Sequence, residues 1–251
     1  MKSLTHELES VVYTSVRESY PKTWDADIIT ASLFSGIKKI LHGKRILTPG
    51  NAIQSRWRIY RHVGNQENAF CDTALIVQVS YHDGQIVRGV AFHDTAEKDP
   101  SKNTFSRLNK TRMKKIASVG PHSRIILYDY DPVTGMAFPS TAESIIGSNP
   151  HSWNAWMPYT HAVAVPTVLA LALDSKSTGL YKAALPLTYQ ICYRYLYGLD
   201  LDHSKPASDI ASGIKTDRGN PKFLVLIAAS HGGAEPLDAF EYNRELYEHV
   251  G

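Results

Sequence analysis

An Asp-Gly pair at residues 83–84 separates two runs rich in apolar and β-branched residues, TALIVQVSY (73–81) and QIVRGVAFH (85–93). Glycine adopts the positive φ that a tight hairpin needs, so the pair constrains the chain to an antiparallel two-strand unit there. Pairing around residue 83 or 84 makes residues whose numbers sum to about 166 or 167 face each other. Asp72 and Asp94 sum to 166. Directly opposed positions place their Cβ atoms roughly 4.5–5.5 Å apart.

Two like charges at that spacing require a proton or a cation to compensate them. A divalent metal is the simplest compensation. Glu67 precedes Asp72 by five residues and adds a third carboxylate at the same end of the hairpin. Glu67, Asp72 and Asp94 thus form a hard-oxygen ligand set suited to Mg²⁺ or Mn²⁺. Such an ion polarises a phosphoryl oxygen and acidifies a bound water.

The flanking charge fits that chemistry. Residues 98–115 carry seven Lys/Arg against the single acid Asp99, although the net charge of the 251-residue chain is only +3. Lys102, Arg107, Lys110, Arg112 and Lys114 are candidate contacts to a nucleic-acid backbone, joined by Arg56 and Arg58 from the stretch RWRIYRH (56–62). The other use of such a run is a solvated helix face.

The pattern of elements is α/β. Thr5 caps a helix to about Arg17, and Asp25 caps a second to about Leu41, with Ile29, Leu33, Ile37 and Ile40 at helical spacing. Residues 56–63 read as a strand, followed by the hairpin. A basic helix opens at Asn103 or Thr104 and runs to about Val119, and 123–130 (SRIILYDY) is a further strand. After Pro132 the texture changes: 136–160 is loop-rich and aromatic, with Trp153 and Trp156 as packing or base-stacking candidates. Helices are expected at 162–174, 187–198, 206–214 and 236–249, with one strand at 222–229. The expected division is a 1–135 core and a mainly helical 136–251 region, whose strand either returns to the edge of the first sheet or begins a small second layer.

Helix, three strands, helix and strand, with acids opening the second strand and closing the third, resembles the PD-(D/E)xK restriction-endonuclease-like nucleases. The segments Glu67-Asn68-Ala69-Phe70-Cys71-Asp72-Thr73-Ala74 and Gly89-Val90-Ala91-Phe92-His93-Asp94 carry the likeness, which covers about residues 1–131. It implies a mixed sheet flanked by helices and a metal-dependent DNA endonuclease, of the kind used in restriction or anti-phage defence. Asp72 and Asp94 would be its catalytic acids. The chain departs from the motif where the family carries lysine: position 96 is alanine. Strand alternation puts Asp94, Ala96 and Lys98 on one face. Lys98, roughly 7 Å beyond position 96 at about 3.3 Å per residue, could bring an ammonium back to the site. Lys102 and Lys110 are further candidates for a migrated lysine. A degenerate site that only binds nucleic acid or a partner protein, and an alanine introduced in place of lysine, stay open beside it.

Cys71 and Cys192 make neither a disulfide framework nor a zinc cluster, which suits a reducing cytoplasm. The most apolar run, 162–173, is too short to span a bilayer and contains Pro166. Tyr189, Tyr193, Tyr195 and Tyr197 suit either an interface with a second copy or a partner protein, or a half-polar packed helix.

Overall fold

The structure, a computed structural model, describes residues 4–48, 51–64, 69–134, 136, 159–215, 218–233 and 235–250. Two helices open it, α1 (Leu4–Val16) and α2 (Ala26–Leu41). The Asp25 carboxylate accepts from the Asp27 and Ile28 amides, satisfying two of the donors that a helix N-terminus leaves unpaired. Ile29, Leu33, Phe34, Ile37 and Leu41 form the buried stripe of α2, each contributing about 1.5–3 kcal/mol by leaving water.

Strands β1 (Arg45–Thr48), β2 (Asn51–His62), β3 (Thr73–Ser80) and β4 (Ile86–Glu97) follow. The β3–β4 register pairs Thr73 with His93 and Ser80 with Ile86, the sum of 166 expected from the turn. Gly84 takes φ +84°, and Tyr81 and Gln85 close the hairpin through their backbones. Helix α3 (Lys110–Val119) crosses to β5 (Arg124–Val133), which lies parallel to β4. Then come β6 (Thr160–Pro166), α4 (Thr167–Leu173), β7 (Leu185–Pro186) and α5 (Leu187–Tyr189), which continues as a π turn, Gln190–Arg194, and a 3₁₀ turn, Tyr195–Tyr197. Helix α6 (Lys205–Ala211), β8 (Phe223–His231) and β9 (Tyr247–His249) complete the described chain.

The nine strands among the described residues belong to one mixed sheet, ordered β1-β2-β8-β3-β4-β5-β6-β7, with β9 on β2. β8 is inserted between β2, to which it is antiparallel, and β3, to which it is parallel. Alternation assigns Leu75, Val77, Val79, Val225 and Ile227 to the face under α1 and α2. Ala74, Ile76, Phe92, Leu224 and Leu226 face α3 and α6. Among the described residues no helix is long and apolar enough to cross a membrane.

Several expected elements are revised. The basic helix starts at Lys110 rather than at 103 or 104, because Phe105 donates its amide to the Lys176 carbonyl, Arg107 takes φ +65°, and the Asn109 side chain caps the helix. Residues 160–166 are strand, not the start of a helix: AVAV is a fully buried run, and periodicity cannot tell such a run from a buried helix. The helix expected at 236–249 is absent. Leu237 O accepts from Gln78 and Ala239 O from Arg88, Phe240 lies by both Arg58 and Arg88, and Tyr242 packs on Tyr60, so the segment stays extended across the sheet. The described residues after 136 carry both strands and helices. Trp153 and Trp156 lie outside the described residues.

Candidate active site at the foot of the hairpin

Four strand ends meet where the hairpin is widest: the start of β3, β5 and β8 and the end of β4. Asp72 stands just before β3, and its amide donates to the His93 carbonyl, continuing the ladder by one residue and holding it opposite Asp94. Both carboxylates sit on the α3 face, 3% and 8% exposed.

The compensating cations come from elements distant in sequence. Arg112, on the first turn of α3, places Nη2 2.8 Å from Asp72 Oδ1 and 2.8 Å from Asp94 Oδ1. Lys222, the residue before β8, places Nζ 3.0 Å from Asp72 Oδ1 and 3.0 Å from Asp27 Oδ1. Asp72 Oδ2 accepts from the Thr95 amide at 2.8 Å and the Thr95 hydroxyl at 2.9 Å. Asp72 is thus held by four donors. Asp94 Oδ1 is buried and, although the Arg112 cation is adjacent, receives no hydrogen bond of acceptable geometry among the described residues.

The two acids are therefore unequal. Burial alone would raise Asp72, but the Arg112 and Lys222 charges outweigh it and hold the carboxyl below its usual range. Burial, reinforced by the neighbouring Asp72 charge, pushes Asp94 up to about 7 against the pull of Arg112. A permanently ionised acid beside one poised near neutrality is the condition under which paired carboxylates divide acid and base roles.

Arg107 extends the cluster, with nitrogens 2.9 Å from Asp25 Oδ2 and 3.3 Å from Asp27 Oδ1. Four carboxylates (Asp25, Asp27, Asp72, Asp94) thus face three cations (Arg107, Arg112, Lys222), one negative charge in excess while all are ionised.

The other expected site residues are dispersed. Lys98 directs its ammonium to Asp129 at 3.1 Å and Asp131 at 3.0 Å, and over the Tyr130 ring, so it serves a separate cluster. Glu67 lies outside the described residues, and among those described no group of three or more His, Cys, Asp or Glu side chains could hold a metal ion. Arg56 pairs with Glu235, Arg58 with Asp238 and Lys110 with Asp174 at the surface, apart from the acid pair. Lys102 and Lys114 are exposed. His93, adjacent to Asp94, points to the opposite face, where its Nε2 lies 2.7 Å from the Tyr195 hydroxyl; burial, then the Arg124 charge, lowers it to about 3. It is a neutral packing residue.

Sequence reasoning missed Lys222. It lies 150 residues beyond Asp72, and only the insertion of β8 beside β3 brings it there. A lysine immediately before the apolar strand FLVLIAA was the available signal, but without the strand order it carried no address. Comparisons with protein-family models, curated proteins and solved structures found no match to this chain.

Proposed function

We propose that this chain is a divalent-metal-dependent phosphodiesterase that cleaves nucleic acid, with DNA as its substrate, in the manner of the restriction-endonuclease-like nucleases it resembles. One observation carries this reading: the Lys222 ammonium stands 3.0 Å from Asp72 Oδ1 beside an opposed acid pair. That cation, carried by the residue before β8, would stand in for the motif's lysine, absent at position 96.

The donor chemistry fits a hard divalent cation. Mg²⁺ is commonly held by one or two carboxylates, with waters and substrate phosphate oxygens completing its shell. Asp72 and Asp94 would hold it, with Glu67 as the third ligand expected from the sequence. The buried Asp94 Oδ1, which accepts no hydrogen bond among the described residues, and the excess negative charge present when Asp94 is ionised favour a further cation. When bound, the ion supplies polarisation of a phosphoryl oxygen and a more acidic water.

The remaining work falls to the chain's own side chains. Lys222 presents ammonium hydrogens beside the acids, where charge develops on phosphoryl oxygens. The Arg112 fork can share its donors between the acids and an incoming phosphate, a geometry that guanidinium suits better than ammonium. Asp94, poised near neutrality, is the acid able to accept or return a proton at physiological pH.

A second reading is favoured by a different observation. Asp72 already accepts from Thr95 twice, from Arg112 and from Lys222, as in a charge cluster that serves structure alone. The protein would then be a catalytically silent nuclease-like subunit that binds nucleic acid or a partner protein. Incubation of plasmid, single-stranded DNA and RNA with the protein in Mg²⁺ or Mn²⁺ separates the two. Cleavage that is lost in Asp72→Asn supports the enzyme. Salt-sensitive binding without cleavage supports the silent subunit, and neither binding nor cleavage removes both.

A further inference from the structure

The far half of α3 borders a second feature. Helices α3 and α6 pack side by side on the same sheet face through Ile116, Val119, Ala207 and Ile210. Where they diverge toward solvent they leave a cleft of about 530 Å³. That volume lies within the range of small-molecule sites, roughly 300–1,000 Å³.

The lining has two chemistries. Val119, Pro206 and Ile210 form an apolar floor, while Lys215, Arg218 and the hydroxyl-bearing Ser118 supply polar groups at the rim. The backbone holds these in place: Lys115 Nζ donates to the Arg218 carbonyl at 2.7 Å, tying the 218–222 segment to α3. Ile214 and Lys215 donate their amides to the Asp209 carbonyl at 3.0 and 3.1 Å, fixing the segment after α6. Among the described residues the charge at the rim is positive. Lys205 and Lys215 share one described acid, Asp209, at 3.3 and 3.6 Å, and among the described residues no carboxylate pairs with the exposed Arg218.

An apolar floor under a cationic rim matches a ligand with a flat or hydrophobic body and an anionic group. We infer that this cleft binds a phosphate-bearing nucleotide unit, with the phosphate at Lys215 and Arg218 and the base or sugar over Val119, Pro206 and Ile210. The unit has two possible sources, a free nucleotide or one residue of a bound strand. The cleft shares α3 and the 218–222 segment with the acid pair, yet none of its lining residues belongs to that pair. Its occupancy is therefore independent of whether the acids are catalytic.

Titration of the full chain with adenosine diphosphate, with a fluorescein-labelled single-stranded oligonucleotide and with inorganic phosphate tests the inference. Saturable binding of the nucleotide or the oligonucleotide is expected, weakened about tenfold or more by Lys215→Ala or Arg218→Ala, since each removes a charge-assisted contact. Ser118→Phe fills the cleft without removing a charge. It should weaken the nucleotide further than inorganic phosphate. A nucleotide that binds as tightly as the oligonucleotide identifies a free-ligand site; a much tighter oligonucleotide identifies a strand-binding site. Adenosine diphosphate titrated without divalent metal reports on the cleft and not on cleavage at the acid pair, so failure of the phosphodiesterase reading leaves this result standing. No saturable binding of any probe, or binding indifferent to all three cleft variants in folded protein, overturns the inference.

Discussion

Lys222 Nζ lies 3.0 Å from Asp72 Oδ1, although β8 and β3, whose first residues follow these two, are far apart in the chain. If that ammonium supplies the motif's absent lysine, Lys222→Met abolishes cleavage, by roughly 10²–10³-fold in rate, as loss of one preorganised donor does elsewhere. Lys98→Met should leave the rate within a few-fold, because Lys98 serves Asp129 and Asp131. Single-turnover cleavage of one labelled duplex by both variants decides between them.

Neutralising the two acids should have unequal costs for stability. Asp72→Asn removes the acceptor that Arg112, Lys222 and Thr95 share and leaves the two cations only Asp94 and Asp27, a loss on the order of 1–3 kcal/mol. Asp94→Asn removes the excess negative charge and should cost less than about 1 kcal/mol. Urea unfolding of the two variants measures the difference, and equal losses would show that the acids are held alike.

Two buried acids set a pH dependence of known sign. Glu9, held by the Thr160 and Thr188 hydroxyls, is pushed from its ordinary value near 4.5 to about 7 by burial, against the effect of those hydrogen bonds. Asp94 is raised to the same region. Between the ordinary and the raised values the folded chain keeps a proton that the unfolded chain releases. Each group's contribution is therefore complete below its unfolded pKa. It declines by about 1.4 kcal/mol per pH unit as pH climbs toward the folded value. Glu9→Gln should remove one of these declines and Asp94→Asn the other, so that stability between pH 5 and about 7 falls less steeply than in the parent. Denaturant midpoints across that range provide the check.

Phe240 lies 5.8 Å from the Arg58 guanidinium and 5.3 Å from that of Arg88, anchoring the extended C-terminal segment across β2, β3 and β4. Phe240→Ala loses both cation–π contacts and partly buried ring surface, together about 1–2 kcal/mol. Limited proteolysis should then cut the 236–246 segment faster while leaving the sheet intact.

The hairpin, its register and the opposed acids were legible because turn chemistry and a period of two are local signals. α2 was equally legible through its Asp25 cap and buried stripe. The companions of the acids were only half so. Arg112 stood in a basic run read as a nucleic-acid contact, and its role as the bridge between Asp72 and Asp94 depends on how α3 docks. Lys222 depended on strand order, which local patterns do not encode. The segment 160–166 and the tail after 235 failed for a further reason: their conformation is set by the strands and side chains they pack against, β5 in one case and Gln78, Arg58 and Arg88 in the other.

The placement of β8 also governs when the molecule can form. Every strand that meets at the acid pair except β8 has been made by residue 133, yet the gap between β2 and β3 stays open until residues 223–231 arrive. A nascent chain leaving the ribosome would hold two long apolar strand edges unpaired through most of its synthesis, a state exposed to aggregation and to capture by chaperones. Completion of the cluster is then a late event: the strand that closes the sheet is preceded by the lysine that joins Asp72 and Asp27, so sheet and charge cluster are finished together.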